Sequence, residues 1–274
     1  MRTHVLTRGV GADYRFLGSV PATRWWQEFR QLTSFERPTL LVHRHAEGWE
    51  LYASAVPTER KDRMETVIRM SLVLSASEFV EEDADLVLAL VGEWLAGAEP
   101  SPGRLGTLLD ERFPAEDTEE LLAGSGPDND EEVAGRVRAA LAQLRDESPA
   151  DDGEAETILA ESWAGAVTDA VVRSSFVRRV RSMLNADACG WAVQLTLAGA
   201  EDVGAHHAQQ DEPLVALVNE RIPGGWIELA PKAVRRRRPG TVVIWTIAVA
   251  TAIVIGLITW VVHVWQPVVP AGSR

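Results

Sequence analysis

From Thr241 to Trp265 the chain runs for 25 residues without a single Asp, Glu, Lys or Arg. As a helix rising about 1.5 Å per residue, this stretch reaches about 37 Å, enough to cross a hydrocarbon core of about 30 Å with some tilt. A core helix of a globular domain ordinarily carries charge on its outer side well before that length. The run therefore predicts one transmembrane helix over residues 241–265.

Charge on either side of the run predicts its orientation. Lys232, Arg235, Arg236, Arg237 and Arg238 stand just before it, and Arg274 carries the one positive side chain after it. Basic flanks stay on the cytoplasmic side, because moving them across costs solvation and opposes the membrane potential. The N-terminal part is thus expected in the cytoplasm, with these five residues at the lipid surface and 266–274 as a short external tail. Met1 to Val10 contains no apolar run of the secretory kind. The insertion signal comes last, as in tail-anchored proteins, and a single-pass protein of a bacterial inner membrane is expected. Within the span Ala248, Ala252 and Gly256 recur at intervals of four. Small residues on one helix face let two backbones approach closely, which favours pairing of spans into a homo-oligomer.

The remainder is acidic. Net charge is −13, and between Ser101 and Ala160 sixteen Asp and Glu face five Arg. Such a surface repels the phosphates of nucleic acid, so no nucleic-acid partner is expected. Of the 27 basic residues only Lys61 and Lys232 are lysines, a bias associated with GC-rich bacterial genes. The single cysteine, Cys189, can form no internal disulfide, which suits a reducing compartment. Its strand-like neighbours predict a small buried hydrophobe.

Periodicity predicts an α+β fold: a cytoplasmic antiparallel meander with helices, followed by the C-terminal span. Tyr14–Val20 reads as a short strand and Pro21–Leu32 as a helix. Thr39–His45 and Trp49–Val56, joined through Gly48, read as a hairpin, and Thr66–Leu74 as its third strand. Ser75-Ala-Ser-Glu78 has the form of a capping box opening a helix that runs to about Gly97. Helices are further expected over 104–112, 115–122 and around Val133–Leu144, then through Val172, Phe176, Val180 and Leu184; strands are expected over 191–197, 212–218 and 225–230. The organisation expected is an N-terminal α+β domain over 1–123, an acidic helix and linker over 124–160, and a second α/β segment over 161–231 that could belong to the same domain. A basic juxtamembrane segment, 232–240, leads into the span.

Few residues carry chemistry by spacing. His43 and His45 alternate on a strand, so both imidazoles share a face and could chelate one ion, with Glu47 or Glu50 near. A transition-metal site wants three or four ligands. The other histidine cluster, His206-His207, reads as a solvated loop, so no metal, cofactor or catalytic residue is expected. Gly-x-Ser-x-Gly, His-Glu-x-x-His and both glycine-rich phosphate loops are absent. The loop around Arg60, Lys61 and Arg63, with Arg69 on the next strand, gathers positive charge in an acidic chain and could dock a partner's acidic surface. Arg173, Arg178, Arg179 and Arg181 give one further helix a basic face that could meet anionic lipid.

An α/β cytoplasmic part without catalytic signature, fused to one C-terminal span, resembles the membrane-anchored partner proteins of bacterial conflict and defence systems in high-GC genomes. The resemblance is architectural and rests on no motif. It implies a membrane-tethered adaptor that recruits a cytoplasmic protein partner, in a setting such as antiviral defence. The alternatives are a membrane effector whose spans cluster after sensing, and an enzyme with an unrecognised site.

Pairing through the small-residue face is testable with residues 239–267 in a reporter of transmembrane self-association. Gly256→Ile is expected to lower the signal and Ile253→Ala, on another face, to keep it; equal signals would make the spacing compositional.

Overall fold

The computed structural model describes residues 1–230 except 12, 35–36, 79, 97–101, 125, 148–157, 159 and 186–187. All belong to a compact unit spanning Met1–Lys232. The expected span 241–265, its basic flank and the tail lie outside the described residues, as does most of the 148–156 loop. Among the described residues no helix is long and apolar enough to cross a membrane.

Among the described residues the fold is mixed α+β, with a nine-stranded sheet and six α-helices. In chain order the elements are β1 (Arg2–Thr7), β2 (Arg15–Phe16), β3 (Thr39–His45), β4 (Gly48–Lys61), β5 (Val67–Ala76), α1 (Glu81–Ala96), α2 (Arg104–Arg112), α3 (Ala115–Ala123) and α4 (Asp130–Glu147). Then come β6 (Trp163–Ala166), α5 (Ala170–Leu184), β7 (Gly190–Leu195), α6 (Ala200–His207), β8 (Leu214–Val218) and β9 (Trp226–Glu228).

The strands lie in the order β2-β1-β5-β4-β3-β7-β8-β6-β9. The expected meander is present: β3, β4 and β5 pair antiparallel, with β1 against the outer edge of β5. Beyond β3 the sheet continues without interruption into the C-terminal segment. There β7 pairs antiparallel with β3, whereas β7, β8 and β6 run parallel and are joined by α5 and α6. Parallel neighbours need a crossover, and those two helices supply it.

One face of the sheet is covered by α1 to α5. Leu40, Val42, Leu51, Leu72 and Leu74 pack there against Leu86, Leu90, Leu108, Val137, Leu141 and Phe176. The other face is covered by α6 and a 3-10 turn, Trp25–Phe29, with Leu41, Tyr52, Trp191 and Val193 beneath. Strand β3 alternates between the two layers and is fully apolar over Leu40–Val42, as a strand buried on both sides must be. A partly buried hydrogen bond also ties the halves: the Trp94 indole N–H in α1 donates to Gln194 Oε1 in β7 at 2.8 Å.

Several local expectations give way to tertiary context. Ser75 and Ala76 do not cap a helix; Ser75 is held between Arg2 of β1 and Glu50 of β4, so β5 runs on and α1 starts only at Glu81. The helix expected over 21–32 shrinks to the 3-10 turn at Trp25–Phe29, because Trp25, Trp26 and Phe29 all turn onto the sheet. Strand β4 extends to Lys61, past a bulge at which Ala55 adopts a left-handed φ of 59°. Strands β1 and β6 carry too weak an apolar pattern to be visible beforehand. Cys189 is exposed, immediately before β7, rather than a buried hydrophobe.

Two helical glycines separate packing from propensity. A Cβ on Gly106 of α2 would sit 2.1 Å from the Pro57 carbonyl oxygen of β4, whereas one on Gly135 of α4 would meet nothing within 4 Å. Gly106→Ala is expected to cost about 1–3 kcal/mol by overpacking. Gly135→Ala is expected to stabilise by about 0.5–1 kcal/mol through helix propensity. Thermal melts of the two variants check both signs.

Candidate functional site

The most chemically distinctive place lies where β3 leaves the core. The strand carries Leu41, His43 and His45 toward the α6 face. The register places Glu50 of β4 opposite His43 on one side and Trp191 of β7 opposite it on the other. The three side chains thus form one cross-strand row, where partners across a ladder touch. The His43 ring stacks on Trp191 with centroids 3.8 Å apart and planes 4° apart, and Trp25 flanks the pair at 6.3 Å from His43.

Carboxylates surround the imidazoles. His43 Nε2 is 2.9 Å from Glu212 Oε2, and since a carboxylate can only accept, the imidazole donates. On the other side His43 Nδ1 lies 3.8 Å from Glu50 Oε2, buried and without a hydrogen-bond partner. His45 Nε2 lies 3.9 Å from the same carboxylate oxygen. His43, His45 and Glu50 each offer a donor atom within 4.8 Å of the others. The spacing His43-x-His45 made the pair visible in sequence, with Glu47 or Glu50 as the nearby carboxylate; the β3–β4 register selects Glu50.

The second histidine cluster is not a solvated loop. His206 and His207 lie in α6; His207 is buried, and the His206 ring packs 4.5 Å from the Phe29 centroid. Burial holds both imidazoles below their ordinary pKa, with His207 lowering His206 further. Next to the Trp25–Phe29 turn, a shallow cleft of about 240 Å³ is lined by Trp26, Arg30, Thr33, Tyr52 and Ser54. Trp26 stacks on Tyr52 at 5.0 Å, and burial raises the Tyr52 phenol.

The basic residues of the β4–β5 end are dispersed rather than gathered. Arg60 Nε donates to Asp110 at 2.8 Å and Nη1 to the Thr118 hydroxyl at 3.1 Å, joining β4 to α2 and α3. Arg69 Nη1 donates to the Ala55 carbonyl at 3.2 Å and so braces the bulge. Lys61 pairs with Glu65 at 3.2 Å, and Arg63 is exposed. The turn between them is held by Asp62, whose carboxylate is kept below its usual pKa chiefly by the Thr66 amide and also by Met64 and Arg8. On α5, Arg173 and Arg179 donate to the Val167 and Cys189 carbonyls, and Arg178, Arg179 and Arg181 line a cavity of about 620 Å³ beside Trp163. Ala248, Ala252, Gly256 and the cluster Lys232, Arg235–Arg238 lie outside the described residues.

No family model, curated protein or solved structure matches this chain.

The α6 histidines predict a pH dependence. A folded-state pKa below the ordinary value of 6.5 means the unfolded chain binds protons more readily. Their stabilisation is therefore complete above that value and is lost as pH falls through and below it. Thermal midpoints measured from pH 7.5 to 5 should fall on acidification. The slope should be flatter in the double variant His206→Gln/His207→Gln.

Proposed function

We propose that the chain is a membrane-tethered binding protein that recruits a cytoplasmic protein partner to a bacterial inner membrane. The observation that carries this reading is the uncharged run Thr241–Trp265 with five basic residues crowded on one side and Arg274 alone on the other. A compact unit that ends at Lys232, just where the basic segment begins, supports it: the core is completed before the proposed anchor. Docking through the β4–β5 end, among Arg60, Lys61, Arg63 and Arg69, would rest on the two outward cations, Lys61 and Arg63, meeting an acidic partner. The architectural resemblance to anchored partners in conflict and defence systems supplies the setting.

The small-residue face of the span favours a second reading, a membrane effector whose spans cluster after the folded unit has sensed its signal. It differs from the first in one readout, leakage of the membrane on activation.

The tether is tested by protease treatment of spheroplasts carrying the full chain. The N-terminal unit is expected to be spared until the cells are lysed. Its digestion from outside would overturn the orientation, and recovery of the full chain in the soluble fraction would overturn the anchor itself.

A further inference from the structure

We infer that His43, His45 and Glu50 bind a divalent transition-metal ion of the zinc class. His43 anchors the site through the hydrogen bond on its far nitrogen. Its Nε2 proton is given to Glu212 at 2.9 Å, so in the neutral ring the Nδ1 atom carries only a lone pair. That lone pair is buried, has no hydrogen-bond partner, and is 3.8 Å from the negatively charged oxygen of Glu50. A lone pair facing a carboxylate is repulsive, and a cation between them turns the arrangement attractive. The carboxylate on the far nitrogen is the device that fixes the tautomer and raises the basicity of a metal-binding imidazole. Stacking on Trp191 holds the ring plane in place.

His45 completes the set. Its Nε2 faces the same Glu50 oxygen at 3.9 Å, and all three donors fall within 4.8 Å. Tetrahedral coordination with bonds of about 2.0–2.1 Å separates ligand atoms by about 3.4 Å, so the two histidine–Glu50 separations need to close by about half an ångström, and the two imidazole nitrogens, which lie within 4.8 Å of each other, by up to about 1.4 Å. Both are partly exposed, with side chains 32% and 19% accessible, and sit on side-chain torsions free to turn. One contact is lost: the Glu47 amide N–H donates to His45 Nδ1 at 3.2 Å, and ligation through Nε2 requires that nitrogen to carry the proton instead. This bond is long and exposed, hence weak. Two imidazoles and one carboxylate suit zinc, cobalt, nickel or copper ions and not calcium or magnesium, which take oxygen. Three protein ligands leave a fourth position for water. The competing account of the same geometry is an imidazolium at His43 shared between Glu50 and Glu212, which would take up no metal.

The test uses the full chain in detergent, stripped with a chelator and titrated with Zn²⁺ against a chromophoric zinc chelator. One equivalent per chain is expected, and Co²⁺ should give the visible absorption of a four-coordinate site. His45→Ala and Glu50→Gln should each weaken binding at least about tenfold, and Glu212→Gln by about tenfold through the second shell. His206→Ala should leave affinity unchanged. Melts without metal establish that each variant is folded, and because His45 and Glu50 are at the surface both are expected to be. The site is overturned by absence of stoichiometric uptake at micromolar free Zn²⁺, by wild-type affinity in either His45→Ala or Glu50→Gln, or by loss of uptake in His206→Ala.

Discussion

The whole arrangement depends on one strand being paired along both edges. Thr39–His45 is bonded to β4 over Thr39↔Ser54 to His45↔Gly48 and to β7 over Thr39↔Leu195 to Arg44↔Gly190. This joins an antiparallel meander built from local contacts to a parallel βαβ half built from distant ones. Removing water from both faces of such a strand demands apolar side chains in both directions, and Leu40, Leu41 and Val42 provide them at 0% exposure. Breaking either edge would leave buried N–H and C=O groups without partners, a cost of about 1–3 kcal/mol apiece.

The candidate site is what remains where that burial ends. Past Val42 the covering layers thin, and the strand changes from leucines to His43, Arg44 and His45. A half-buried imidazole needs partners for its polar atoms; at His43 only Nε2 has one, Glu212, while the neighbouring strands set the Glu50 carboxylate 3.8 Å from the unpartnered Nδ1 and an aromatic face against the ring. Glu50, His43 and Trp191 meet because β4 and β7 flank β3 in a register set by the apolar residues deeper in the sheet. A shift of one residue in either pairing would carry Glu50 or Trp191 to the opposite face.

Much of the conspicuous charge is engaged within the fold. Arg136 reaches Asp117 and Glu132 at 2.7 Å, and Arg104 grips Glu147 with two bonds of 2.6 Å that hold this carboxyl down at about 2. The acidic segment thus doubles as the set of partners for arginines between helices. Pairs this exposed are worth little individually. At the β4–β5 end Arg60 and Arg69 likewise turn inward to Asp110 and the Ala55 carbonyl, whereas Lys61, paired with Glu65, and Arg63 face outward.

Elements whose physics is local were legible in the chain itself. The α+β class, the β3–β4–β5 meander and the helices Arg104–Arg112 and Ala115–Ala123 follow from periodicity and turn chemistry alone. The absence of charge from 241 to 265 is likewise a property of sequence that no folding can alter. What periodicity could not contain is which distant strand lies beside which. Strand β1 alternates His4 and Leu6 with Val5, and β6 is only Trp-Ala-Gly-Ala; both exist because neighbours pair with them. Ser75 follows the same rule in reverse, its capping preference overridden by two ladders. For the site, the sequence by itself determined that His43 and His45 share a face, since a strand repeats every two residues. Only the tertiary structure decided that Glu50, Glu212 and Trp191 join them, because register and topology are set by burial of the core and not by the residues that form the site.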